Sequence, residues 1–402
     1  MWKRKLVIIA SLLAIVAVAL VLVAAAPDNA GPTASGDELP GRYVVLLRAG
    51  ATADDLARGH GLGVEHRFSS INGASFVGAP GKLQALRTDP RVAVAEPDRL
   101  VSLSAQSLPT GINRIDADLS STKAGDGSGS VIVDIAIIDT GIQPDHPDLY
   151  VVGGKNCSTG RSWSDGHGHG THVAGTTAAL DNTIGVVGVA PGARLWAVRV
   201  LNNAGSGSIA SVVCGIDWVT NNASTIEVAN MSLGCECGSA ALDTAISASV
   251  AAGVTYAVAA GNSAKDAATF QPANHPDVIA VSAIADFNGV GGGGAAATCR
   301  TDVDDTFADF SNFGAVVDIA APGVCILSTY KGSKYATMSG TSMASPHVTG
   351  AAGLYKANNP GASPADVKAA LLLAGKAQTD TTYGFTGDPD AFAEPLVYAG
   401  GL

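Results

Sequence analysis

Charge is scarce in this chain. Of 402 residues, only 15% are Asp, Glu, Lys or Arg, against about 25% in an average soluble protein. Aromatic residues make up 5%, with 4 Trp and 4 Met. A chain held open by its own charge is excluded, because 47% of residues are hydrophobic and mean hydropathy is +0.26. Basic residues are scarcest in the long C-terminal part. Residues 1–104 hold 11 Lys+Arg and 9 Asp+Glu, a net +2, whereas residues 105–402 hold 13 and 26, a net −13, together −11. A body so acidic repels phosphate backbones, so no nucleic acid is expected as a partner. Long apolar runs are also absent, apart from one at the N-terminus.

That run is residues 6–26, preceded by Lys3, Arg4 and Lys5 and interrupted only by Ser11. Residues 1–26 read as a signal peptide or a membrane anchor. The stretch is longer than the roughly 7–15 residues of an ordinary signal core and long enough to span a bilayer. Val23, Ala24 and Ala25 suit cleavage near Ala25/Ala26. Either way the remainder is expected to be exported: secreted, or tethered to the membrane if the segment is retained. Export permits disulfides among Cys157, Cys214, Cys235, Cys237, Cys299 and Cys325, with buried free thiols as the alternative.

Residues 27–39 are rich in Pro, Gly, Ala and Asp and read as a linker. Residues 40–104 look like a small α+β unit, with strands at 42–47, 73–77 and 92–96 and helices at 52–60 and 82–86. From 105 to 402 the pattern changes. Apolar, β-branched runs at 131–138, 195–201, 228–233, 254–260, 278–282 and 316–320 suit strands buried on both faces. Helix-like segments at 172–180, 209–220, 240–252, 342–357 and 364–374 separate most of them. Such alternation predicts an α/β fold: a mostly parallel central sheet with helices on both faces. Ligand sites in such sheets lie beyond the C-terminal strand ends.

Chemistry-bearing residues stand at those ends. Asp139 closes the 131–138 run in Ile-Ile-Asp-Thr-Gly and could hold an imidazole in one tautomer. His169 lies in Asp-Gly-His-Gly-His-Gly-Thr-His-Val-Ala-Gly-Thr, residues 165–176. Metal binding is the rival reading of these histidines, but the His-Glu-x-x-His spacing and nearby cysteines are missing. Ser342, in Ser-Gly-Thr-Ser-Met-Ala-Ser-Pro-His, follows a glycine turn and opens a helix, whose free N–H groups favour an oxyanion. Asn262, in Ala-Ala-Gly-Asn, could donate its amide to the same charge. Each alone could be a cap or a turn residue. Together they supply orienter, base, nucleophile and oxyanion donor, and the triad runs in the order Asp, His, Ser.

With these motifs, and with Asn-Met-Ser-Leu-Gly at 230–234, the chain resembles a subtilisin-like serine protease, a subtilase. The resemblance runs from about Ala105 into the last third of the chain. The 40–104 unit resembles the family's inhibitory propeptide, so the chain's own propeptide becomes an expected partner, released by self-cleavage within 102–106. The resemblance implies a secreted monomeric serine endopeptidase acting on proteins or peptides. Asp139 would orient His169, His169 would be base and then acid, and Ser342 the nucleophile. Ser232, Leu233 and Gly234, with Ala259, Ala260 and Gly261, would line the primary pocket, and Phe270 would border it. Gly205, Ser206 and Gly207 would pair with the substrate backbone. Broad specificity is expected, with apolar or aromatic residues before the cut.

Structural calcium is implied too. A strong site would use the Leu180, Ile184 and Val186 carbonyls with Gln106, Asp148 and Asn182. A weaker site would use the Pro276 and Val278 carbonyls with Asp318. For disulfides, Cys157–Cys214 and Cys299–Cys325 are favoured. Cys235 and Cys237 are close for an unstrained bridge, and could pair with strain, stay reduced or bind elsewhere. The chain departs from subtilisin itself in a longer, glycine-rich segment at 287–308 and in Cys235-Glu-Cys237, which directly follows a pocket wall.

Two rivals remain. An exported subtilase fold that binds without cutting should lack a triad member, and none is missing. An esterase needs Gly-x-Ser-x-Gly with Ser first in the chain, whereas Ser342 sits in Gly-Thr-Ser-Met-Ala and comes last.

Overall fold

A computed structural model describes residues 38–99 and 106–402. The apolar segment at 6–26, most of the linker and most of the expected cut region lie outside the described residues. The chain divides into two compact units, Met1–Ser102 and Leu103–Leu402.

The first unit comprises β1 (Glu38–Leu47), α1 (Ala53–His60), β2 (Gly63–Phe68), β3 (Gly73–Val77), α2 (Leu83–Arg87) and β4 (Val92–Arg99). The strands form an antiparallel sheet in the order β2-β3-β1-β4. Tyr43, Val45 and Leu47 alternate along β1 and are buried with Leu56, Ala74, Phe76 and Leu86. Thr52 starts α1 by accepting from Asp55 N, and Gly61 ends it at φ 63°, where a side chain would be strained. Strand β2 was not expected. Its sequence, Gly-Val-Glu-His-Arg-Phe, is an edge strand with no fully buried residue, so it carries no apolar alternation to read.

The second unit runs α3 (Thr110–Arg114), β5 (Asp134–Asp139), β6 (Val151–Asn156), α4 (His169–Ala178), β7 (Arg194–Arg199), α5 (Ile209–Asn221), β8 (Val228–Met231), β9 (Cys235–Glu236), α6 (Ala240–Ala251) and β10 (Thr255–Ala259). It continues through β11 (Phe270–Gln271), β12 (Ile279–Ala285), β13 (Thr306–Phe307), β14 (Ile319–Pro322), β15 (Ile326–Tyr330), β16 (Lys334–Met338), α7 (Thr341–Asn358) and α8 (Pro364–Ala374). Its main sheet has the order β13-β12-β10-β8-β5-β7-β6, with β14 also on β12. Every pair is parallel except β12 with β13.

Alternate side chains of each strand enter different cores, which explains the near-continuous apolar runs. Ile135 and Ile137 of β5 pack with Val173 of α4 and Val348 of α7, whereas Ala136 and Ile138 pack with Ile216 of α5 and Ile246 of α6. Helices therefore cover both faces. Helix α5 is started by a capping box between Ser208 and Ser211 and buries Val212, Gly215, Ile216 and Val219, one face at helical spacing. Helix α8 opens on Ser363 with Pro364 in its first turn and Asp366 closing a second box.

Three disulfides cross-link this unit. Cys157–Cys214 ties the segment after β6 to α5, and Cys299–Cys325 staples the glycine-rich segment to the turn before β15. Cys235 is bonded to Cys237, the pairing left open by the sequence, across the short strand β9.

Candidate active site

Asp139, the last residue of β5, is fully buried, and both its carboxylate oxygens face His169 Nδ1, at 2.8 and 2.9 Å. Thr140 N also donates to this carboxylate (2.6 Å) and Thr140 Oγ1 accepts from Gly170 N (2.9 Å), pinning the strand end to the start of α4. That approach requires glycine: a Cβ on residue 170 would lie 2.2 Å from the Gly141 carbonyl oxygen.

The N-terminus of α4 has no side-chain cap at Gly168. Asp165 takes that role from outside the helix. Its carboxylate accepts from Thr140 Oγ1, His167 N, Gly168 N, Thr171 N and Thr171 Oγ1, at 2.6–2.9 Å. Burial of the His169 ring disfavours its charge, but the nearby Asp139 and Asp165 carboxylates outweigh this and raise its pKa above the usual histidine range. His172, three residues on, turns elsewhere: its Nε2 lies 3.0 Å from both the Ile326 and Ala336 carbonyls. Burial, with His169 close by, lowers its pKa to about 3, so it is a neutral packing group.

Ser342 is the second residue of α7, where a backbone N–H has no intrahelical acceptor. Asn262 Oδ1 accepts from both Thr341 N (2.8 Å) and Thr341 Oγ1 (2.9 Å). Anchoring the amide oxygen there leaves the exposed Nδ2 as the free donor beside the helix start. The Ser342 hydroxyl donates to the Ser232 carbonyl (3.2 Å) rather than to His169. Catalytic hydrogen bonds are commonly loose without substrate.

A further contact fixes this serine's backbone. Pro346 lies inside α7 and has no N–H for the Ser342 carbonyl four residues earlier. Ser232 Oγ donates to that carbonyl instead (2.8 Å), while accepting from Asn230 Nδ2 (2.9 Å). Asn230 Oδ1 in turn accepts from Ser345 and Thr349 (2.8 Å each). Strand β8 and helix α7 are thus joined through fully paired buried polar groups.

Beside His169 opens a cleft of about 500 Å³. Gly205, Ser206 and Gly207 line it together with Ser232, Leu233 and Gly234. Ala259, Ala260 and Gly261 are buried behind them rather than lining this space. The Phe270 ring lies against both Gly234 and Gly261, where added Cβ atoms would come within 2.3 and 3.0 Å of it. Sequence reasoning missed Ile209, Val212 and Leu242, which also line the cleft. They are apolar residues within helix-like segments, whereas chemistry was sought in polar residues at strand ends. Sequence reasoning also passed over Asp165, although that residue stands within the His169 motif.

The six oxygen-bearing residues of the strong cation site do come together. Gln106 Nε2 lies 2.5 Å from the Leu180 carbonyl and 3.0 Å from that of Val186. Asn182 contacts Asp148 Oδ1 (2.9 Å) and the Ile184 backbone N (2.7 Å), and Val186 N donates to Asp148 Oδ2. Burial raises the Asp148 pKa against the hydrogen bonds from Val186 N, Asn182 and Tyr335 that favour its charge. Among the described residues there is no group of three or more His, Cys, Asp or Glu able to hold a metal. This site is of another type, mainly neutral oxygens with one carboxylate.

The three groups of the weaker cation site also come together, around a side chain. Lys368 Nζ occupies the point on which the Pro276 carbonyl (3.2 Å), the Val278 carbonyl (2.7 Å) and Asp318 (2.8 Å) converge. An ammonium and a metal ion cannot share it.

The Subtilase family profile matches residues 131–386. The chain is 43% identical over 304 residues to an alkaline protease of Alkalihalobacillus alcalophilus, covering 75% of this chain and 74% of that protein. It is 45% identical over 265 residues to Subtilisin Savinase of Lederbergia lenta, covering 66% and 90%. A thermostable alkaline protease of Halalkalibacterium halodurans is 36% identical over 372 residues, covering 92% and 94%. Among solved structures, a cold-adapted subtilisin-like serine proteinase matches with a TM-score of 0.60 at 33% identity, covering 73% of this chain and 98% of that one. The fold is subtilisin-like, and the chain belongs to the subtilase family of serine endopeptidases.

Proposed function

We propose that the chain is an exported, self-processing endopeptidase in which Asp139, His169 and Ser342 act as the triad. The observation that carries this reading is the buried Asp139–His169 pair, held at 2.8 and 2.9 Å on the wall of a cleft shared with Ser232, Leu233 and Gly234. His169 Nε2 takes the Ser342 proton as Oγ attacks the peptide carbonyl, then returns it to the leaving amine. Water releases the acyl group by the reverse steps. Asn262 Nδ2 and Ser342 N–H stabilise the oxyanion.

Because His169 must be neutral to act as base, its raised pKa moves the rise in activity towards alkaline pH. Relatives named as alkaline proteases agree with this. Leu201, Ile209, Val212, Leu233 and Leu242 on the cleft wall favour apolar or aromatic residues before the cut, and Gly205–Ser206–Gly207 adds the substrate as a strand. Residues 1–26 direct export, 27–39 link, and 40–104 serve as the inhibitory propeptide of the 105–402 enzyme. Structural calcium fits the donor set of Gln106, Asp148, Leu180, Asn182, Ile184 and Val186, hard oxygens on side chains and carbonyls of residues that cluster around one buried carboxylate.

The deciding experiment is labelling with a fluorophosphonate probe, followed by casein hydrolysis. Labelling and turnover should both vanish in Ser342→Ala, with a loss of roughly 10⁶ in kcat. Wild-type-like turnover in that variant would end the proposal, and an unlabelled parent chain would favour a non-catalytic binding role.

A further inference from the structure

The weaker cation site of the sequence reading is occupied by the protein itself. Helix α8, set by its Ser363 cap, carries Lys368 against the leads into β12 and β14. The three N–H donors of an ammonium meet three acceptors from two separate segments: the Pro276 and Val278 carbonyls and the Asp318 carboxylate. Every one lies within 3.2 Å of a single nitrogen. This is the oxygen focus that a bound cation needs, filled by a side chain.

Asp318 cannot swing away from this point. Its Oδ2 also accepts from Ala280 N (2.9 Å), and its own backbone N–H donates to Ala280 O (3.0 Å). Lys368 and Asp318 are largely sheltered, with side chains 22% and 19% exposed. A calcium ion at this point would have only three protein oxygens and would need water for the rest of its six to eight ligands, whereas the three donors of the ammonium are satisfied by these oxygens alone. It would also have to expel an ammonium tethered in place, whose effective concentration is that of an intramolecular partner.

We infer that Lys368 is the resident cation of this junction, replacing a metal ion, and that the same three oxygens form a latent calcium site exposed only when the ammonium is removed. The junction of α8, β12 and β14 is therefore held together without free calcium, unlike the Asp148 region proposed above.

The test uses the full chain carrying Ser342→Ala, so that self-digestion does not intervene. Calcium stoichiometry is measured by calorimetric titration, and Tm is followed in EDTA and in millimolar calcium chloride. Adding Lys368→Ala should raise the stoichiometry by one equivalent. It should also lower Tm in EDTA by a few degrees, with recovery in calcium. Adding Asp318→Asn to that variant should abolish the extra equivalent. Lys368→Arg, which keeps a cation, should gain none. Equal stoichiometry in the parent and Lys368→Ala would overturn the inference. So would loss of one equivalent from the parent on Asp318→Asn alone, since a metal would then already be bound there. If Lys368→Ala does not fold, Lys368→Gln replaces it in the same titration. No readout involves hydrolysis, so the result is independent of the catalytic proposal.

Discussion

Replacing Ser232 with alanine should unsettle the backbone of Ser342 without touching its hydroxyl. The cause lies in Pro346, which cannot donate to the Ser342 carbonyl, so that the Ser232 hydroxyl does so at 2.8 Å. Ser232→Ala removes this donor and also the acceptor of Asn230 Nδ2. Ser232 is only 3% exposed and Asn230 fully buried, so water is a poor replacement. Two buried polar groups left unpaired cost about 1–3 kcal/mol each, and partial relaxation brings the expected loss to roughly 2–4 kcal/mol. At roughly 2 °C per kcal/mol for a unit of this size, Tm should fall by about 4–8 °C. In active protein kcat should fall more than KM rises, because the displaced atoms belong to the nucleophile's own peptide unit. The decisive measurement is a double-mutant cycle with Pro346→Ala in a Ser342→Ala background, which retains the residue-342 carbonyl and prevents autolysis. Alanine at 346 supplies the missing helical N–H, so it should recover more stability when residue 232 is alanine than when it is serine. The expected coupling is about 1 kcal/mol. Strict additivity of the two substitutions would refute the idea that Ser232 stands in for the N–H that proline lacks.

Asn262→Ala should reduce kcat by about 10²–10³ with little change in KM, as for loss of one oxyanion donor; a kcat close to the parent's would remove Asn262 from the site. Asp165→Asn removes one of the two carboxylates that raise the His169 pKa, so the acidic limb of kcat/KM should move to lower pH, and an unmoved limb would contradict this. Burial pushes Asp286 up to about 7, opposed by Arg114 and aided by Asp305 and Asp304. The folded form therefore holds this proton more tightly than the unfolded chain, whose Asp titrates near 3.9, and stability should fall as pH rises between these values. Urea midpoints at pH 5 and pH 8 should show a loss of roughly 3 kcal/mol that is absent in Asp286→Asn; equal slopes would exclude Asp286 as the cause. EDTA should lower the Tm of the processed enzyme and speed autolysis, and Asp148→Ala should do the same without chelator; indifference to EDTA would rule out the calcium site.

Much of the second unit was legible because its signals are local. A strand buried on both faces must be apolar throughout, so β5, β8 and β10 could be read directly from their runs. Ser208 and Ser363 mark helix starts because the residue three positions on completes each box. Asp139 and His169 were conspicuous as polar residues at the ends of such elements. Where the signal is not local, reading stopped. Strand β2 exists because β3 offers it a free edge, and its own residues alternate too little to announce it.

The chain's order of residues by itself determined which atoms share a helix turn or a strand end, since backbone geometry sets distances across a few positions. Tertiary packing alone decided which distant groups meet. Asp139 and His169 are 30 positions apart, Ser232 and Ser342 110, and Lys368 and Asp318 50. No local periodicity constrains such separations. A lysine on an exposed helix turn could equally have pointed into water. It meets the Pro276 and Val278 carbonyls and the Asp318 carboxylate only because α8 docks against the leads into β12 and β14.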